Sequence, residues 1–253
     1  MPELFNILLV SIFLPLFPMS MVFNAVLENV KPNWLRVLLF ILWPLMGLLI
    51  ALNNNLVIPD WVLPLALSTS FLYAIRMLTL REVNQWTGFL AISIWSLLWL
   101  PIIQGSSAEL MYGFALGMSL PLVLLVLLSA GLEQRFGAAY TGLYGGLART
   151  IPRYAGVLVT VVVAAVATPL FPTFFFMLDM VVETVSSKPL AAVVLLLIWL
   201  FWSWAGTRLT QGLIVGRGSN NNIADMDITS MYFYSIVLIV LMVGGIYLGG
   251  TIL

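Results

Sequence analysis

The feature that most constrains this chain is a succession of apolar runs, at 4–26, 35–52, 60–78, 86–103, 109–131, 154–186, 190–214 and 229–252. Each is near or above the roughly 20 residues that cross a bilayer as a helix. Inside hydrocarbon every backbone N–H and C=O must be paired, which admits helices and closed barrels and little else. With 62% hydrophobic and 8% charged residues, the chain lies far from the roughly 45–50% apolar and about 25% charged make-up of a soluble domain. The pattern predicts an all-α polytopic transmembrane helix bundle of about eight spans, one integral membrane domain over residues 1–253. No Lys or Arg precedes the run from Leu4 to Val26 and no small-residue cleavage site follows it, so it reads as a retained span.

Composition also excludes functions. The formal net charge is zero, which gives no basic surface for nucleic acid. Cysteine is absent, removing disulfides and thiolate chemistry; histidine is absent too, removing the commonest metal ligand and the usual neutral-pH proton relay. There is no phosphate-binding glycine loop, no metal-ligand spacing and no nucleophile with a histidine base. The expectation is a chain that is no enzyme by itself, takes no cofactor and holds no metal.

Charge between the runs orders them. Lys31 and Arg36, Arg76 and Arg81, then Arg135, Arg149 and Arg153, then Arg208 and Arg217 follow alternate spans, while the loops at 53–60 and 104–109 carry no positive residue. By the positive-inside rule the basic loops are cytoplasmic and both termini lie outside, in a bacterial cytoplasmic membrane. Counting 154–186 as two spans would spoil this alternation, yet it is too long for one straight helix and holds Pro169 and Pro172 near its middle. It is expected to be one discontinuous helix, broken between about Thr168 and Phe174.

Asp179 follows that break, in FPTFFFMLDMVVETV, with no countercharge in sequence reach. An ionised Asp at bilayer depth costs at least about 2.5–3.5 kcal/mol, so a bundle that keeps one normally uses it for protons, ions or a partner's cation. Glu183, four residues on, shares its helical face. The plainer reading pairs Asp179 with an arginine of another span and leaves Glu183 at the membrane interface. Either way Asp179 is expected to face protein, with a polar or cationic group in reach.

The stretch YGGLARTIPRYAGVLVTVVVAAVATPLFPTFFFMLD resembles the corresponding region of the antiporter-like membrane subunits of respiratory complex I and of Mrp-type cation/proton antiporters. Gly145, Gly146, Leu147 and Pro152 match the approach to the family's discontinuous helix, while Phe174 and Phe175 replace a Ser-Gly pair in its break. In the family an essential Lys or Glu stands seven positions after the second proline of the break, which is Asp179 here. WAGTRLTQGLIVG places Arg208 at a family arginine near the cytoplasmic side, and IADMDITSMYFYSIVLIVLMVGGIYLG resembles the acidic loop and last helix. Upstream, REVNQWTGFLAIS places Glu82 on a family Asp and Asn84 on a family Lys. The resemblance is strongest over 142–253, weaker over 80–141 and slight before residue 80, and it covers the second half of a full-length subunit.

The resemblance implies a proton or monovalent-cation site at Asp179 with Glu183, supported by Arg208, Ser119, Asn84 and Glu82, in a complex with other membrane subunits, an antiporter-like one among them. It also marks a departure. Where the family has a His and Lys series leading to the broken helix, this chain has Ala115, Ser119 and Val123, so the polar axis has lost its charges and Ser119 can do no more than hold a water. Two functions from different classes follow: a transport subunit whose missing route comes from another subunit, or a scaffold that docks a full-length or catalytic partner and conducts nothing. Related subunits serve quinone-reducing respiratory complexes, membrane-bound hydrogenases, Mrp antiporters and inorganic-carbon uptake systems.

Other residues take plainer readings. Arg76 and Arg208 sit within reach of the interface and snorkel. Trp34, Trp61, Trp86, Trp99, Trp202 and Trp204 lie near span ends, as in an aromatic belt. Gly244, Gly245, Gly249 and Gly250 put small residues on one region of the last helix, a candidate interface with a partner subunit. Asn53 to Asn55 and Asn220 to Asn222 end helices in loops.

Overall fold

The computed structural model describes residues 2–54, 56–142, 145–216 and 223–252; Asn55, Arg217 and Asn220 to Asn222 lie outside them. The described residues form α1 (Pro2–Phe13), α2 (Met21–Asn29), α3 (Asn33–Asn53), α4 (Val62–Met77), α5 (Val83–Ser96), α6 (Trp99–Gln104), α7 (Ala108–Phe136), α8 (Leu147–Thr150), α9 (Pro152–Ala165), α10 (Pro172–Ser187), α11 (Pro189–Ile214) and α12 (Ile228–Ile252). Taken as α1–α2, α3, α4, α5–α6, α7, α9–α10, α11 and α12, they make the expected eight passes. Local chemistry sets the boundaries. Proline opens α9, α10 and α11, where its missing N–H is no loss. The Ser107 hydroxyl caps α7 by accepting from the Leu110 N–H at 3.3 Å, and Gly137, at φ 82°, ends it in the left-handed region.

The bundle has a centre and a rim. α5–α6 is 83% buried over its apolar window against 17% for α12, so the former is the core element and the latter a peripheral one. α7 runs through the middle, packed on α3, α5, α9 and α10. The basic loops meet at one end: the Thr141 N–H donates to the Arg81 carbonyl at 2.7 Å, and the Asp225 carboxylate accepts from the Arg153 and Tyr154 N–H groups, capping α9 from a loop far along the chain.

The expected discontinuous helix is present, with its break at 166–171: α9 ends at Ala165 and Pro172 already begins α10. Thr168 to Phe171 fall in the expected interval, but Thr173 and Phe174 are helical, because proline at N1 starts a helix rather than interrupting one. Ala167 (φ 58°) and Leu170 (φ 85°) adopt left-handed backbone that costs on the order of 1–3 kcal/mol each outside glycine. The surroundings hold them there. The Trp199 indole donates to the Ala167 carbonyl at 2.8 Å and the Thr173 hydroxyl to the Ala164 carbonyl at 2.6 Å.

The discontinuous helix expected over 154–186 is not alone. The first pass also breaks, between α1 and α2, and its loosened backbone is paired in the same way: Trp43 donates to the Ile12 carbonyl and Trp99 to the Leu14 carbonyl, each at 3.0 Å, while the Thr69 hydroxyl accepts from the Phe17 N–H. The signal was in the sequence. Pro15-Leu16-Phe17-Pro18 and Pro169-Leu170-Phe171-Pro172 are the same tetrapeptide, and each lies at a break. Tryptophan brings a correction: Trp34, Trp61 and Trp204 are exposed as an interfacial belt requires, but Trp86, Trp99 and Trp202 are fully buried.

Candidate functional site

On α10, Phe176 packs edge to face on Phe114 of α7, with ring centroids 4.5 Å apart, and Phe174 meets Trp199 of α11 at 5.3 Å. Phe175 lies against Gly249 of α12, where a Cβ would come within 2.5 Å of its ring. Asp179 stands one turn beyond Phe175, on the strip of α10 between the faces taken by α7 and α12. It is half-buried, and Glu183 and Val182 beyond it are exposed. This corrects the expectation of a polar or cationic neighbour: among the described residues no hydrogen bond or ion pair reaches Asp179, and the ion pair they form is Arg36 with Glu133, 4.0 Å apart. The carboxylate sits on the flank of the bundle rather than inside it, because Phe176, Met177 and Met180 occupy the inward face.

The middle of the bundle, on the far side of α7 from α10, is filled by rings. Phe23, Phe40, Trp43 and Trp95 form one edge-to-face cluster with centroids 4.8 to 5.7 Å apart. Ser119 is buried, and it accepts from the Trp95 indole at 3.0 Å, so the water-holding role expected for it gives way to an indole. Ser70 and Ser93 exchange hydroxyl-to-carbonyl bonds, and Ser93 also accepts from Trp202 at 2.8 Å. Where ionisable groups would be needed for a proton route, the chain presents hydroxyls already committed to indoles and carbonyls.

At the basic end the structure brings together residues far apart in sequence. Asn84, buried on α5, donates to Glu133 of α7, which also pairs with Arg36 of α3. Glu82 lies just before α5 and lines, with Glu28, Arg36 and Asn84, a cavity of about 250 Å³. Burial pushes the Glu82 carboxyl above the ordinary carboxylate range; Glu133 and Glu28 add to the rise and Arg36 opposes it. Sequence reading found Glu82 and Asn84 but missed Glu28, Arg36 and Glu133 as their partners, since nothing local links them. Deeper along the same helices, the Trp86 indole and the Ser129 hydroxyl are buried without hydrogen-bond partners among the described residues.

The remaining candidates separate. Gly245 packs on the α9–α10 break, where an added Cβ would lie 2.4 Å from the Leu170 carbonyl oxygen, and Gly249 is taken up by Phe175; Gly244 and Gly250 face open space. Half of that glycine set therefore serves packing within the chain. Arg208 is exposed and lines a cavity with Arg81, while Arg76 lies over the Phe89 ring at 5.4 Å. Pro169 lies in the break and Pro172 opens α10.

No protein-family model matches the sequence, and no curated protein matches it. Solved structures do match. A chain of the respiratory complex I from Thermus thermophilus with bound NADH aligns over 97% of this chain and 54% of its own, with TM-score 0.77 at 18% identity. The fold is that of complex I and Mrp type membrane subunits. A chain of the Mrp complex from a Dietzia species aligns over 83% of this chain and 41% of its own (TM-score 0.71, 13% identity). A chain of a membrane-bound sulfane sulfur reductase, an archaeal respiratory membrane complex, aligns over 92% and 50% (TM-score 0.78, 15% identity). The chain spans about half the length of these structures, and the likeness to the complex I chain reaches the spans before residue 80.

Proposed function

We propose that this multi-pass membrane protein is a subunit of a multi-subunit proton- or cation-translocating complex, and that Asp179, helped by Glu183, is its ion site. The observation that carries this reading is the position of Asp179: half-buried beyond a break whose backbone is paired by protein, with no countercharge from its own chain among the described residues. A membrane carboxylate so placed is costly unless something outside the chain answers it. A partner subunit's lysine or arginine, or a transported proton or monovalent cation, does so on the strip between α7 and α12. The rest of the route belongs to that partner, in keeping with the ring-filled interior of this chain. The basic end faces the cytoplasm of a bacterial cell and both termini lie outside. The complex couples to respiration or to inorganic-carbon uptake.

The second reading, a non-conducting scaffold that docks a full-length antiporter-like or catalytic partner, is favoured by the ring-filled interior and by the commitment of Ser119 to Trp95. One experiment separates the two. In Asp179→Asn, complex assembly is measured by co-purification and ion movement by proton- or sodium-dependent activity in membrane vesicles. Intact assembly with activity lost supports the ion site; full activity in the assembled variant leaves only the scaffold.

A further inference from the structure

The seam between α4 and α11, to which Arg208 belongs, opens into a cavity at each end, and neither cavity is lined by Asp179 or Glu183. Midway, Phe71 of α4 and Phe201 of α11 meet edge to face with centroids 5.5 Å apart and separate the two. The cavity at the basic end has a volume of about 400 Å³; Arg81, Arg208, Thr141 and Gln211 give it polar walls, and Met77 and Leu209 an apolar one. Both arginines are exposed, and among the described residues neither has an acidic partner. Of the carboxylates of that end, Glu133 is engaged with Asn84 and Arg36 and Asp225 with the first N–H groups of α9, while Glu82 and Glu28 line the separate cavity beside Arg36.

Two arginines, a threonine and a glutamine line one cavity, and guanidinium, hydroxyl and amide N–H groups are donors that hold a phosphate; Arg does so through planar, paired N–H bonds. The apolar wall says which phosphate. A soluble anion has no use for it, whereas a phosphodiester at the end of a membrane span brings acyl chains that cover it, and basic pockets between transmembrane helices bind anionic headgroups. The opposite cavity repeats the design with less charge: about 460 Å³, lined by Leu67, Phe71, Val194 and Leu197, with Lys188 among its walls.

We propose that the α4–α11 seam binds anionic phospholipid, its phosphate held by Arg81 and Arg208 and its acyl chains lying on Met77 and Leu209. This rests on the membrane fold alone and is independent of Asp179. The test uses the full chain in nanodiscs of equimolar phosphatidylglycerol and phosphatidylcholine, with retained lipid counted by native mass spectrometry. The wild type retains phosphatidylglycerol preferentially, the Arg81→Gln/Arg208→Gln double variant loses on the order of tenfold in that preference, and either single variant falls between. The Arg81→Lys/Arg208→Lys variant, which keeps the charge but not the paired N–H bonds, falls between the wild type and the double glutamine variant. Equal retention by the double glutamine variant overturns the proposal. So does stabilisation of the wild type against heat by inorganic phosphate as strong as that by phosphatidylglycerol, which would assign the cavity to a soluble anion.

Discussion

Glu82 lies outside the spans and shows how one carboxylate's surroundings become a measurable pH dependence. The folded chain holds its proton more tightly than the unfolded chain does, so the folded state binds more protons above the ordinary value of 4.5, and stability falls as pH rises through the raised one. Glu82→Gln, neutral at every pH, is expected to melt at a higher temperature than the wild type near neutral pH. The difference should close as pH falls toward 4.5; a difference that stays constant with pH would mean that the charge is not its source. Sequence reading singled out Glu82 through a resemblance, but the shift arises from its burial in the fold, with Glu133 and Glu28 of other helices adding to it. Asp179 is the opposite case. Its cost was legible from fifteen residues of sequence, while the absence of a polar or cationic partner among the described residues became visible only in three dimensions.

At the scale of elements, the two breaks are held open by side chains from other helices. Trp199→Phe keeps the ring and removes the donor to the Ala167 carbonyl, which is expected to cost about 1–3 kcal/mol in thermal or denaturant unfolding in detergent. An unchanged melting temperature would show that water or another donor serves that carbonyl. Gly245→Ala drives a Cβ to 2.4 Å from the Leu170 oxygen and to 2.8 and 2.9 Å from the next two backbone atoms, none of which is the end of a flexible side chain. It should destabilise by about 1–3 kcal/mol, whereas Gly244→Ala, in open space, should stay within about 0.5 kcal/mol of wild type. Equal effects would place α12 otherwise than against the break. The helices themselves were legible in the hydropathy, and so was the second break, through two prolines inside one overlong run. The first break carries the same Pro-Leu-Phe-Pro signal, but its apolar run at 4–26 is of ordinary length for one span, so length did not mark it.

For the whole molecule, the decisive feature is how the centre is filled. α5–α6 and α7 carry the core, and where ionisable side chains would make a route they bring Trp95, Phe114 and a serine bound to an indole. A chain so packed is expected not to conduct alone. Reconstituted in liposomes with an imposed pH gradient and a pH-sensitive dye, it should dissipate the gradient no faster than empty liposomes do. Flux above that background, abolished by Asp179→Asn, would instead give this chain a complete route of its own.

Sequence by itself determined the class, the number of passes and the end at which the arginines collect, because a bilayer leaves the backbone few choices and charge cannot be hidden in it. It also singled out Asp179, since an unpaired carboxylate in an apolar run announces its cost without any neighbours being known. Tertiary structure alone decided what surrounds each group: that Trp43, Trp99 and Trp199 pair the broken backbones, that Ser119 is taken up by Trp95, that Glu82 is buried beside acids of other helices, and that Asp179 sits half-buried on the flank of the bundle. The physical reason is range. Burial cost and helix length are set within a turn or two of chain, whereas hydrogen-bond partners, cavities and the face a carboxylate presents depend on contacts between residues tens of positions apart.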